Sequence, residues 1–316
     1  MTIKKPWILL VIIAIGVSLL AACSPSVDES ASLGDPVETI DIAHELGKAT
    51  VKVGPERLIV FDYGLLDALD AIGEEIIGLP KRTLPEYLSK YRDDKYVDVG
   101  SLQEPNFETI YELSPDLILI SARQSSLYEE FAKIAPTVYL NIDGGDYINS
   151  FKNNMSVLGE IFDKKSEIEG IVGQIEEGIG DLKDTAQQVR GKSLFIMAND
   201  GNLSVYGKGS RFGIIHNEFG LEAADENIEV STHGQKITFE YILEKDPDYI
   251  FVMDRAAVTG GEISAKQVMD NELIHSTKAY KNDNIVYLDA HIWYVSSGGI
   301  AATEKMIEEI SSAISK

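Results

Sequence analysis

Among the 316 residues, Arg123 and Arg255 stand at matching places in an internal repeat. Residues 107–120 read Phe-Glu-Thr-Ile-Tyr-Glu-Leu-Ser-Pro-Asp-Leu-Ile-Leu-Ile, and residues 239–252 read Phe-Glu-Tyr-Ile-Leu-Glu-Lys-Asp-Pro-Asp-Tyr-Ile-Phe-Val. Phe, Glu, Ile, Glu, Pro, Asp and Ile recur in register. Each copy predicts a short helix, a Pro-Asp corner and a buried strand, because proline cannot continue the helix. Both arginines lie three residues beyond their copy, past the carboxyl ends of equivalent strands. Ligands of open α/β sheets bind outside those ends. A guanidinium there supplies a permanent charge and a planar donor fork, the chemistry of an anion clamp. Arg211 joins them on a different signal, the glycine-rich turn Gly207-Lys208-Gly209-Ser210-Arg211-Phe212-Gly213. Ser210 is expected to cap a helix running to Phe219, with Arg211 in its first turn. A positive charge is unfavourable there, which points to a task outside the helix. A glycine-rich turn before a helix also suits phosphate, but no Walker or dinucleotide pattern accompanies it.

The elements that must position these arginines alternate between strand-like and helix-like runs. Leu58–Phe61, Asp116–Ser121 and Thr137–Leu140 read as strands, Tyr63–Ile72 and Ser125–Ala135 as helices, and the alternation predicts an α/β fold with largely parallel sheets. From Tyr147 to Arg190 apolar residues recur at helical spacing with no proline, and residues 164–190 predict one helix of about 40 Å. Strand-like runs resume at Ser193–Met197, Leu203–Tyr206, Tyr249–Met253 and Ile285–Leu288, and Ile300–Ile314 closes the chain as a helix. The expected architecture is two Rossmann-like lobes, 47–162 and 191–316, joined by a linking helix over 163–190, with a ligand cleft between them.

The ends and the composition bound the function. Lys4 and Lys5 precede an apolar run, Trp7–Leu20, that is shorter than the roughly 20 residues a spanning helix needs. Leu20-Ala21-Ala22-Cys23 follows, so residues 1–22 read as a signal peptide with its cleavage site. Leu-Ala-Ala-Cys resembles the lipobox of bacterial lipoproteins, which implies a lipid on Cys23. Residues 23–46 are rich in small and acidic side chains and are expected to form a flexible tether. Cys23 is the sole cysteine, so no disulfide within the chain is possible. The formal net charge is −23, which excludes nucleic acid as an expected partner. It also means that an anionic ligand must be held by a local cluster of positive side chains.

Several stretches carry a resemblance that covers the chain from about residue 47 to its end. They are Ser121-Ala122-Arg123-Gln124-Ser125, Gly209-Ser210-Arg211-Phe212-Gly213-Ile214-Ile215-His216, Thr232-His233-Gly234-Gln235, Met253-Asp254-Arg255 and Ile292-Trp293-Tyr294. The chain resembles the siderophore-binding lipoproteins of ABC importers, most closely the branch that takes ferric catecholates of the petrobactin and bis-catechol type. The resemblance implies that Arg123, Arg211 and Arg255 line the pocket. It implies that His233 and Tyr294 complete the iron shell when a ligand leaves two positions open; imidazole and phenolate suit ferric iron. It also implies that Glu108 and Glu240, at repeat-equivalent positions, dock onto basic pockets of the permease, whose ATPase lies on the cytoplasmic side. No intrinsic cofactor is expected, since iron arrives within the siderophore complex. A monomer anchored outside the cytoplasm by its lipid is expected, with small lobe motions. Trp293 is expected to pack near the cleft, and His44, His216, His275 and His291 show no metal-ligand spacing.

Other functions fit less well. A haem, hydroxamate-siderophore or cobalamin carrier would share the fold. An extracytoplasmic hydrolase would need a nucleophile or metal motif, and neither Gly-x-Ser-x-Gly nor His-Glu-x-x-His occurs. Scattered histidines argue against a zinc or manganese carrier, and the repeat-equivalent arginines argue against an adhesin.

Overall fold

The computed structural model describes residues 38–231 and 233–315. Cys23 and the expected signal peptide lie outside them. The described chain opens with a hairpin, β1 (Thr39–His44) and β2 (Gly47–Lys52), paired antiparallel. Residues 39–46 were expected in the tether on composition. They fold because Ile42, Ala49 and Val51 alternate with polar residues and bury one face of the hairpin.

The first α/β layer is a five-stranded parallel sheet in the order β5-β4-β3-β6-β7. Its strands are β3 (Leu58–Val60), β4 (Gly78–Leu79), β5 (Val97–Asp98), β6 (Leu117–Ile120) and β7 (Thr137–Tyr139). β3, β6 and β7 are buried throughout, as parallel strands covered on both faces must be. The helices among them are α1 (Tyr63–Ala71), α2 (Phe107–Glu112) and α3 (Tyr128–Ala132). The stretch read as one helix over 125–135 begins instead as a 3-10 segment, Ala122–Leu127, whose Ser121–Gln124 capping box closes its first turn. α4 (Tyr147–Ile161) and α5 (Lys165–Gln188) follow as the long helical stretch, and α5 buries Ile168, Ile175, Ile179, Leu182 and Ala186 along one side.

The second sheet is mixed. β8 (Lys192–Asn199) pairs parallel with β10 (Glu222–Ala223) and β12 (Tyr249–Asp254), and β12 with β13 (Ile285–Leu288). β9 (Asn202–Tyr206) and β11 (Gln235–Ile237) add an antiparallel flank. Its helices are α6 (Ile214–Asn217), α7 (Phe239–Lys245), α8 (Arg255–Thr259), α9 (Ala265–Met269), α10 (Glu272–His275) and α11 (Lys278–Lys281). A π-helical turn, His291–Val295, precedes the last helix, α12 (Ile300–Ile314). α12 packs on both α5 and α1.

Two features tie the sheets together around the site. Asp67 of α1 is buried and accepts backbone N–H groups from Ala301 and Ala302, at 3.0 and 2.8 Å, so a side chain of the first layer caps α12. Gly144 lies against the 209–211 turn so closely that a Cβ there would collide with the Arg211 backbone.

Candidate anion-binding site

The internal repeat places Arg123 and Arg255 as its register predicts. Arg123 sits in the 3-10 segment just past β6, and Arg255 opens α8 at the end of β12, whose terminal residue Asp254 caps that helix. Arg211 sits in the turn before α6. The expectation that Ser210 caps a helix with Arg211 in its first turn is corrected here: α6 begins at Ile214. The Ser210 hydroxyl donates instead to the Gly207 carbonyl at 2.5 Å, and the Ser210 carbonyl accepts from Gly213. The serine therefore closes the glycine turn and leaves Arg211 at its rim.

All three guanidinium groups converge on Tyr294. Arg123 Nη2 and Arg211 Nη2 donate to its backbone carbonyl at 2.7 and 2.5 Å, and Arg255 Nε donates to its phenol oxygen at 2.9 Å. Their guanidinium carbons lie 5.8, 4.4 and 5.6 Å from the ring centroid, within range of cation–π attraction. The π-helical turn presents this residue. Such turns are rare and are frequent at functional sites. Phe195 packs against Phe212 and Trp293 with centroids 4.5 and 5.5 Å apart. The chain neighbours of Arg211 and Tyr294 are thereby fixed in one aromatic cluster. Trp293 is buried and donates through Nε1 to Glu309 at 2.7 Å, a packing role as expected.

The electrostatics follow from this convergence. Burial opposes ionisation of the Tyr294 phenol, but the Arg255 hydrogen bond and the charges of Arg255, Arg211 and Arg123 together hold it below its ordinary value. Burial, and then the charge of Arg123, press Arg211 downward. Three like charges held this close gain from any anion placed among them. Tyr206, at the end of β9, is pushed up to about 12, chiefly by burial.

Two cavities meet at Arg211. One, of about 650 Å³, is lined by Asp62, Ser121, Arg123, Gly144, Ser210 and Arg211 among others. The other, of about 410 Å³, is lined by Tyr206, Arg211, His233, Arg255 and Tyr294 among others. His233 is exposed on this second wall, its backbone N–H donating to Ser231 Oγ at 3.3 Å. The five residues expected at the pocket thus share one region. Glu108 and Glu240 lie elsewhere, exposed in the first turns of α2 and α7, which Asn106 and Thr238 cap. A hydrogen bond at Thr238 holds the Glu240 carboxyl below its ordinary value. No cluster of three His, Cys, Asp or Glu able to hold a metal ion occurs among the described residues.

Asp62 and Tyr206 line the site without having been singled out in the sequence. Asp62 follows β3 at its carboxyl end, the same rule that flagged Arg123. Tyr206 ends the strand that leads into the glycine turn.

Two α/β lobes joined by a long helix, with a cationic cleft between them, have the form of a solute-binding protein. The chain belongs to the periplasmic binding protein family, whose profile matches residues 58–292, a family of binding proteins rather than enzymes. Along 99% of its length it is 44% identical to the whole of the petrobactin-binding protein YclQ of Bacillus subtilis (strain 168). The crystal structure of YclQ superposes with a TM-score of 0.87, covering 88% of this chain and 99% of that one. The ferric-anguibactin-binding protein FatB of Vibrio anguillarum is 34% identical, with 92% of each chain covered. The periplasmic catecholate-siderophore binding protein VctP of Vibrio cholerae is 38% identical in structure alignment, with a TM-score of 0.82 over 87% of this chain and all of that one.

Proposed function

We propose that the chain captures a ferric catecholate siderophore outside the cytoplasm and passes it to the permease of an ABC importer. The observation that carries this reading is the convergence of Arg123, Arg211 and Arg255 on one residue in the cleft. A ferric tris-catecholate bears about three negative charges, and three guanidinium forks answer them with both charge and directed donors. A ferric tris-hydroxamate is uncharged and would leave the cluster unmatched. The petrobactin, ferric anguibactin and catecholate siderophore named for YclQ, FatB and VctP support a ferric siderophore as the ligand. When the ligand fills only four iron positions, His233 and Tyr294 supply the other two, and the lowered phenol of Tyr294 favours the phenolate that iron needs.

Residues 1–22 act as the signal, and Cys23 carries the lipid that holds the protein at the outer face of the membrane. The lobes span 47–162 and 191–316, with β1 extending the first one backward. Glu108 and Glu240 dock the monomer onto basic pockets of the permease. Two similar charges on two lobes fix orientation and speed encounter.

The test is a fluorescence titration of the chain from Ser24 onward. Trp293 is the sole tryptophan there, Trp7 lying in the signal, so the emission reports on the turn that bears Tyr294. Sub-micromolar quenching by ferric catecholates, with none by ferric hydroxamates or haem, is the expected result. Binding of haem or hydroxamate alone would leave a transport role but overturn the ligand class.

A further inference from the structure

The anion site contains a buried carboxylate that an anionic ligand does not call for. Asp62 is 9% exposed and lines the larger cavity together with Arg123. Its two oxygens have separate tasks. Oδ1 accepts the backbone N–H groups of Gly64 and Leu65 at 2.9 and 3.1 Å and so caps α1. Oδ2 takes no part in the cap and lies 3.8 Å from Arg123 Nη1. One oxygen holds the helix, and the other balances a guanidinium of the clamp.

The backbone that carries Asp62 is held in place on two sides. A Cβ on Gly64 would stand 2.7 Å from the Ser297 carbonyl and 3.0 Å from the Gly299 nitrogen, so α1 is pressed against the 297–299 loop. Asp67 pins the same helix to the start of α12. A carboxylate and an incoming anion must then share Arg123 in a poorly hydrated place, where like charges disfavour each other's ionised forms. With the backbone held, protonation relieves the conflict.

The charged and titratable groups around Asp62 agree with this. Arg123 faces it from the 3-10 segment, Arg211 from the glycine turn and Tyr87 from the segment Glu86–Arg92, while Glu45 and Asp143 lie on the cavity wall. Burial already favours the protonated form of Asp62, with Arg123 as the main opposing influence. Tyr87 is exposed along its ring edge, but burial of its hydroxyl end, which donates to Asp67 Oδ2 at 3.0 Å, and then the Asp67 charge hold it neutral.

We infer that Asp62 is a positioning residue that aligns Arg123 in the empty site and takes a proton from solvent when an anionic ferric complex takes over that arginine. The inference rests on the proposed function. The test is isothermal titration calorimetry of the chain from Ser24 onward with a synthetic ferric tris-catecholate, in two buffers of different ionisation enthalpy near neutral pH. The wild-type protein should take up as much as about one proton more per ligand than Asp62→Asn, and its affinity should rise by up to about tenfold per unit fall in pH. Asp62→Asn keeps an oxygen for the helix cap. It should bind more tightly at neutral pH, with a flatter pH profile. Equal proton counts and equal slopes in the two proteins would overturn the inference. A ligand-induced infrared difference spectrum of the wild-type protein gives a readout that needs no variant: a protonated-carboxyl band should appear on binding, and its absence would be equally decisive. Failure of the wild-type protein to bind any ferric tris-catecholate would instead overturn the proposed function.

Discussion

Arg123 and Arg211 donate to the Tyr294 carbonyl and Arg255 to its phenol oxygen, so replacing any of the three takes a donor from the same cluster. Arg123→Ala, Arg211→Ala and Arg255→Ala each remove a charged donor from a partly buried site, worth about 1.5–3 kcal/mol, or about 10–150-fold in affinity for a ferric catecholate. Arg→Lys should recover part of that loss, since charge is kept and the fork is not. Competition titrations read both effects, and unchanged affinity in all three alanine variants would remove these residues from the pocket. Tyr294→Phe keeps the carbonyl that Arg123 and Arg211 use but loses the Arg255 partner. It should abolish a phenolate-to-iron charge-transfer band with a bis-catecholate and leave binding of a tris-catecholate nearly unchanged, as visible absorption would show. Arg123 and Arg255 were legible in the sequence because the repeat fixes their distance from a strand end. Arg211 was reached by a flawed route, since a helix-start misfit was invoked for a residue that lies in a turn. Asp62 was not legible as a site residue, because an aspartate after a strand reads equally as a helix cap, and here it is both.

At the scale of elements, glycines separate contact from mere tolerance. Gly144→Ala should displace the 209–211 turn, because no space exists beside the Arg211 backbone. A loss of ligand affinity together with a lower melting temperature is expected. Gly170, Gly173 and Gly180 of α5 have nothing within 4 Å of an added Cβ, so alanine at each should stabilise the helix by about 0.5–1 kcal/mol without affecting binding. The contact between α1 and α12 adds a pH dependence. Burial is the main force that pushes Asp67 from 3.8 up to about 6. The folded chain then binds this proton more tightly than the unfolded chain does, so stability is gained as pH falls through about 6 and is lost again above it. At about 1.4 kcal/mol per pH unit, the full effect is about 3 kcal/mol and is complete only below 3.8, with about 1.4 kcal/mol of it gained by pH 5. Asp67→Asn should flatten the rise in melting temperature between pH 7 and pH 5. Glu218, pushed up to about 7 chiefly by burial, acts in the same sense and leaves a residual slope. The long helix and most strands were legible from periodicity. The β1–β2 hairpin was not, because Ile40 and Ile42 stand among small and acidic residues whose composition resembles a linker, and only pairing with Ala49 and Val51 gives them a buried face.

For the whole molecule, the fastening of α1 to α12 and the packing of α12 along α5 argue for small motions between the lobes. Solution scattering of the free and ligand-bound protein should give nearly superposable curves, and a clear contraction on binding would show that the contacts at Asp67 and Gly64 open. The charge distribution matters at the same scale. A chain of net charge −23 repels a trianion at long range and attracts it only near the arginines, so moderate salt should speed capture by screening the approach.

The helix α5 also makes the protein resemble a bivalent receptor. One half-site, with Arg123 and Asp62, comes before the helix, and the other, with Arg211, Arg255, His233 and Tyr294, comes after it. A spacer of 24 residues, about 36 Å long, holds the two at a fixed effective concentration, so a ligand seated on one half meets the other with little further loss of freedom. Avidity built in this way depends on the stiffness of the spacer as much as on the groups it presents.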